Sequence, residues 1–300
     1  MASVISPMSI EEDWDNRDRL LDTLAHRLLR KRLSLCLGAG ASVAFKLPDW
    51  TKLVDNLYAI SGQPPSTSTS DIERSEEVFA AKYGGDRVRF AADVQRALYQ
   101  DYVHDPVAVD SNPLLSAIGA LVMSSARGSV SQVITLNYDN ILENHLERRG
   151  FTVSSLAKLP SWDSDSDVEI LHPHGLLDVD QANAPKAGIV LTALDYDAIV
   201  GNVADLWRQK ITNILRSTTC IFVGLSGSDQ NLMNQLYDVN QRHTVSGSEP
   251  FWAVRLGRDE GKPWRARGVY PARLASYDDI PKFILEICRR AAVMRSRRNS

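Results

Sequence analysis

Leu33-Ser34-Leu35-Cys36-Leu37-Gly38-Ala39-Gly40-Ala41-Ser42 is a short apolar run that stops at a turn of glycine, alanine and serine. A run of that length bounded by glycine reads as a buried strand rather than a helix. Upstream, Trp14, Leu20, Leu21, Leu24, Leu28 and Leu29 recur at helical spacing and end in Arg30-Lys31-Arg32, a basic group that suits a helix C-terminus. A strand, a glycine-rich turn and a following helix are how a doubly wound α/β sheet opens. Bare N–H groups at such a helix start attract phosphate. Val43 stands where G-x-G-x-x-G would place its third glycine, and a tight turn also uses glycine for purely steric reasons.

Downstream, residues 61–70 (SGQPPSTSTS) form a turn-rich loop, and Ile72 to about Leu121 is patterned as helix, with turns at Gly84-Gly85 and near Asp110 to Pro113. Further strands are expected at Gln132–Leu136, Glu169–Leu171, Cys220–Val223 and Phe251–Leu256, with a closing helix near Pro281 to Met294. The expected fold is therefore α/β, a Rossmann-like, doubly wound and mostly parallel sheet with a helical insertion. Residues 1–32 form a helical lead-in, residues 33–300 the main domain, and about 61–125 the insertion.

Four of these strands end in loops of small or polar residues. They are Gly38 to Ser42, Asn137-Tyr138-Asp139, His172-Pro173-His174-Gly175, and Gly224-Leu225-Ser226-Gly227-Ser228-Asp229. Ligands of open α/β sheets bind beyond the carboxyl ends of strands, so the four loops can share one crevice. Each has a plainer reading by itself: Asn137, Asp139 and Asp229 as helix caps, His172 and His174 as structural histidines, with His172 the stronger case for that role. His-x-His also suggests metal, but no cysteine or acidic partner lies at a ligand spacing, and no metal is expected.

The chain has 300 residues, 44% hydrophobic, enough for a sizeable core. Its net charge of -3 gives no overall attraction to nucleic acid or membranes, and the one basic cluster, Arg289-Arg290 and Arg295 to Arg298, reads as a solvated end or a contact for nucleic acid or a partner. Three cysteines, two of them in apolar runs, suggest neither a disulfide framework nor a zinc site. With no apolar window of membrane length and no secretion signal, a cytoplasmic setting is expected.

In this order, Gly38-Ala39-Gly40-Ala41-Ser42, Leu47-Pro48-Asp49-Trp50, Thr135-Leu136-Asn137-Tyr138-Asp139, His172-Pro173-His174-Gly175 and Gly224 to Asp229 resemble the SIR2 family, and its bacterial defence-type NAD hydrolases more closely than its protein deacetylases. The resemblance implies NAD as substrate, with the diphosphate at Gly38, Ala39, Gly40 and Ser42 and the nicotinamide side at Asn137 and Asp139. Asp49 is a further candidate there. It implies His174 as the catalytic histidine and Gly224, Ser226 and Ser228 around the adenosine half, with Ser276-Tyr277-Asp278 beside the adenine. The chain departs from the deacetylases in lacking any C-x-x-C pair and in carrying Leu136 where they place a ribose-contacting glutamine. The activity so implied is hydrolysis of the nicotinamide–ribose bond by Asn137 and His174, as an NAD-depleting antiphage enzyme held in check as a homo-oligomer or by a partner. A regulatory NAD or ADP-ribose-binding subunit, acting beside an ATPase on DNA, is one alternative. A protein deacetylase or ADP-ribosyltransferase is another.

Overall fold

The computed structural model describes residues 14–123, 125, 128–161, 165–179, 188–200, 205–246, 251–259 and 261–298. Residues 1–13 of the expected lead-in and residue 124 of the expected insertion lie outside them. Seven strands form one sheet: β1 (Leu33–Leu37), β2 (Gln132–Thr135), β3 (Val153–Leu156), β4 (Val168–Leu171), β5 (Thr219–Val223), β6 (Ala253–Gly257) and β7 (Val269–Arg273). Their order is β3-β4-β2-β1-β5-β6-β7, and every neighbouring pair is parallel. The sheet is thus parallel throughout rather than mostly so.

Alternation along β1 sends Leu33, Leu35 and Leu37 into one apolar core and Cys36 into another, which is why helices cover both faces. The larger core takes α1 (Arg17–Leu29), α2 (Trp50–Ser61), α3 (Asp71–Val78), α4 (Arg87–Leu98), α5 (Pro106–Ser111), α6 (Pro113–Val122) and α7 (Ile141–Arg148). After α8 (Ala193–Val200), the opposite core packs against α9 (Leu206–Ser217), α10 (Gln230–Ser246) and α11 (Lys262–Arg265). The closing helix α12 (Asp279–Arg298) returns to the first face, where Phe283, Ile284, Ile287 and Ala291 join Leu20, Leu24 and Leu28 of α1. Arg290 fastens the two helices through Asp18 and Asp22, and Arg289 pairs with Glu286, so the first part of the basic cluster is structural.

Two strands escape the sequence pattern, and both are edge strands. β3 carries two consecutive serines between Val153 and Leu156, and β7 contains Pro271, whose missing N–H a sheet tolerates at its edge. The glycine-rich turn also differs from expectation. It runs into two 3-10 turns, Ala39–Ala41 and Val43–Phe45, and the next α-helix starts only at Trp50. The chain passes from β1 to β2 on one side and resumes at β5 on the other, so the sheet's switch point lies between β1 and β5. Among the described residues, no helix is long and apolar enough to cross a membrane.

Candidate functional site

The register pairs Leu37, the last residue of β1, with Thr135 of β2 and Val223 of β5, so the loops that follow leave the sheet at one level. Across the switch point two of them touch backbone to backbone. Gly38 N–H donates to Val223 O and Gly40 N–H to Gly224 O, both at 3.0 Å. A Cβ on Gly40 would lie 2.7 Å from the Gly224 Cα, and one on Gly38 2.7 Å from the Gly224 carbonyl oxygen. Gly224 itself sits at φ +71°, where a side chain is strained. These glycines are therefore fixed by the packing of the loops. The amides of Ala41 and Ser42 donate to Gly38 O and Ala39 O, so four N–H groups of this turn are engaged internally rather than bare. A phosphate reaching them must displace those bonds.

Beside this clasp lies a polar network. Asn137 uses both hydrogens of its amide, donating to Gly38 O at 3.2 Å and to Ser42 Oγ at 3.0 Å. Ser42 Oγ donates in turn to Asp139 Oδ2 at 2.9 Å, and Asp139 Oδ1 accepts from Ile141 N–H at the start of α7. Burial raises the Asp139 pKa to about 6; the Ser42 hydrogen bond opposes this and nearby Glu143 adds to it. Ser42, Thr135, Asn137, Asp139 and Glu143 give the polar lining of a cavity of about 20 Å³. Below it, fully buried His172 points Nδ1 at the Asn137 carbonyl (3.2 Å) and Nε2 at Glu143 Oε1 (2.5 Å). Burial pulls the His172 pKa down, but Glu143 and the Asn137 carbonyl outweigh it and the value is raised. Both ring nitrogens face oxygen acceptors, which the doubly protonated ring satisfies.

His174 stands two residues on, turned toward the other side. Its ring lies in an aromatic box, 5.5 Å from Tyr196 and 6.4 Å from Trp50 between centroids, and its Nε2 is 3.4 Å from Asp229 Oδ2. Burial lowers the His174 pKa against the opposing pull of Asp229 and the Leu136 backbone, so the imidazole is neutral at pH 7. Gly175 allows the turn beyond it: φ is +96°, and a Cβ would come within 2.6 Å of Gly188 O. Trp50, Tyr196 and Asp229 close the box, and a second cavity of about 10 Å³ borders His174 and Asp229.

The structure brings Gly38, Gly40, Ser42, Asn137, Asp139 and Gly224 into direct contact, with Ala39 in the same turn and His174 on the adjoining loop. Ser226 and Ser228 are exposed, their Oγ atoms 2.9 Å apart, at the outer lip of the β5 loop. Asp49 is exposed and caps α2, accepting Lys52 N–H at 2.9 Å; what it delivers to the site is its neighbour Trp50. The sequence motifs pass over Glu143 and Tyr196, which belong to helices with no local sign of a site. Asp229 is legible only as a cap, and it is one, accepting Leu232 N–H at 2.7 Å while its other oxygen faces His174.

Residues 131–271, a little under half of the chain, match a family model described as a SIR2-like domain. That segment holds Asn137, Asp139, His174 and the Gly224–Ser228 loop, and leaves the Gly38–Ser42 turn and Asp49 outside. One solved structure, described as "Structural Basis for the Mechanism and Regulation of Sir2 Enzymes", is similar over 92% of this chain and 98% of its own, at 13% identity and a TM-score of 0.48. A likeness that slight carries no functional argument. No curated protein matches the chain.

Proposed function

We propose that the chain binds NAD over the carboxyl edge of β1, β2, β4 and β5 and hydrolyses its nicotinamide–ribose bond. The observation that carries the reading is the fixed amide of Asn137: both hydrogens are engaged, leaving Oδ1 as the acceptor it can offer a ligand, one loop from a buried neutral imidazole. The SIR2-like match over the segment holding both residues supports it, since that family's resemblance implies NAD.

The nicotinamide of NAD is a cationic pyridinium, so it departs with the bonding electron pair as a neutral molecule and needs no acid. The ribose left behind is oxocarbenium-like, and the site has to hold the dinucleotide, favour positive charge and admit water. In this reading Asn137 Oδ1 orients the reacting groups by accepting a hydrogen bond. His174 accepts the proton that water loses. Asp139, ionised above about pH 6, accepts from the carboxamide N–H. The β1 turn takes the diphosphate by exchanging its internal bonds, and Gly224, Ser226 and Ser228 line the adenosine side. Leu136 and the absence of C-x-x-C pairs in the sequence weigh against deacetylation.

The cavities of about 20 and 10 Å³ have room for single groups or water and not for the whole dinucleotide, which in this reading lies across the loops above them. Unrestrained, an enzyme of this kind would drain NAD. We assign its control to a homo-oligomer or a partner such as a defence-system ATPase, and its role to NAD depletion in antiphage defence.

The test is release of nicotinamide and ADP-ribose from NAD by the purified chain, in each assembly state it forms. Asn137→Ala and His174→Ala are expected to stay folded and to lose at least about 100-fold in turnover. Folded wild type that binds NAD and never releases nicotinamide sinks hydrolysis and leaves a binding subunit.

A further inference from the structure

The cavity of about 10 Å³ beside His174 lies on the face of the sheet that Ile134 occupies, opposite the one beside Asp139. Asn231 and Gln235 line it, four residues apart on α10 and so on one side of that helix. They are 5% and 6% exposed, and among the described residues neither the Asn231 amide nitrogen, its oxygen nor Gln235 Oε1 has a hydrogen-bond partner. The same helix buries Leu232, Leu236 and Val239, so leucine at either position would extend an apolar stripe. Two buried amides left unpaired in its place are unfavourable for folding alone and point to a bound group.

The size of the cavity and its donor pattern identify that group. About 10 Å³ is the room that the centre of one water molecule needs, and a buried water makes about three hydrogen bonds. Asn231 Nδ2 can donate one, and Asn231 Oδ1 and Gln235 Oε1 can accept two. His174 and Asp229 form the adjoining wall. We infer that Asn231 and Gln235 hold the water that attacks the ribose, against His174, with Asp229 as the residue that positions the imidazole. The inference rests on the hydrolysis reading and gives it a nucleophile site. The water oxygen bonds to the anomeric carbon as the carbon–nitrogen bond breaks, and the electron pair of that bond leaves with neutral nicotinamide. One water proton passes to His174 and then to solvent, and the Asp229 carboxylate, 3.4 Å from Nε2, offsets the transient imidazolium charge. Because Asp229 Oδ1 caps α10, the helix that carries Asn231 and Gln235 also fixes the partner of His174.

A pocket sized for water excludes a larger nucleophile, and that is what the experiment reads. NAD is turned over in water–methanol mixtures, and methyl ADP-ribose is measured against ADP-ribose for wild type, Asn231→Ala, Gln235→Ala, Asn231→Leu and Gln235→Leu, with melting temperatures of the free proteins. Both alanine variants are expected to raise the methyl product several-fold by enlarging the pocket. Both leucine variants are expected to lose ten-fold or more in kcat, with KM within two-fold and a melting temperature no lower than wild type. An unchanged product ratio and kcat in folded variants overturns the inference while hydrolysis stands. A marked fall in melting temperature for both leucine variants also overturns it, because the amides then serve the fold. Wild type that releases no nicotinamide fails the hydrolysis reading, and the inference falls with it.

Discussion

Asp139 keeps its proton up to about pH 6 because burial disfavours its charge, yet the proposed chemistry uses the charged form. Nicotinamide release should therefore fall below about pH 6, and a pH–rate profile of Asp139→Asn should lack that acid limb along with most of the activity. Stability should move the other way. A carboxyl whose folded pKa is raised stabilises fully below its unfolded value of 3.8 and loses that contribution as pH rises through about 6. Unfolding free energies of wild type and Asp139→Asn should thus diverge in favour of the asparagine between pH 4 and pH 6, toward a difference of about 3 kcal/mol at 1.4 kcal/mol per pH unit. His172 and Glu143 form the buried pair behind Asn137, and Glu143→Gln is expected to cost about 3–5 kcal/mol in urea unfolding by leaving the imidazolium without its counter-charge. The pair's contribution is complete below the unfolded imidazole value of 6.5 and fades as pH rises through the raised folded value, so the cost should shrink at alkaline pH. At this scale the sequence shows the residue types and hides their partners. Asn137 and His174 stand in readable motifs, whereas Glu143 and Tyr196 meet them only through the fold.

The helical insertion between β1 and β2 braces the site from outside. Tyr99 donates to Leu177 O at 2.7 Å and Gln95 to Asp178 O, holding the loop that follows Gly175, while Arg87 pairs with Asp195 of α8 at 2.8 Å. Asp195 also accepts from Thr192 N–H, and the next residue is Tyr196 of the aromatic box. Arg87 is 41% exposed, so Arg87→Ala should change global stability by less than about 1 kcal/mol. It should nevertheless speed hydrogen exchange at the amides of residues 193–197; unchanged exchange there would mean that the ion pair does not hold α8. The helical pattern from Ile72 to about Leu121 was legible because spacing alone defines a helical stripe, whereas the break at residues 99–105 between α4 and α5 was not. The edge strands β3 and β7 were not, since serine and Pro271 give no apolar run. Nor was the replacement of a helix start by 3-10 turns, which depends on how the β1 loop meets Gly224.

Across the whole molecule the two ends of the described chain share one core, with α12 lying on α1 and sealing the face that α2, α4 and α6 also cover. Deleting residues 279–300 should expose the contacts of Leu20, Leu24 and Leu28 and give an insoluble or molten product in expression trials, whereas Arg290→Ala should stay folded and lose at most about 1 kcal/mol. The interlocked glycines at positions 38, 40 and 224 have a different consequence, for mutational scanning. Gly40→Ala is expected to cost about 1–3 kcal/mol through overpacking alone. In a library selected for activity these three positions will tolerate almost no substitution even where they touch no substrate atom. Scoring the same library for cellular abundance should deplete them equally, while Asn137 and His174 variants drop out only when activity is selected.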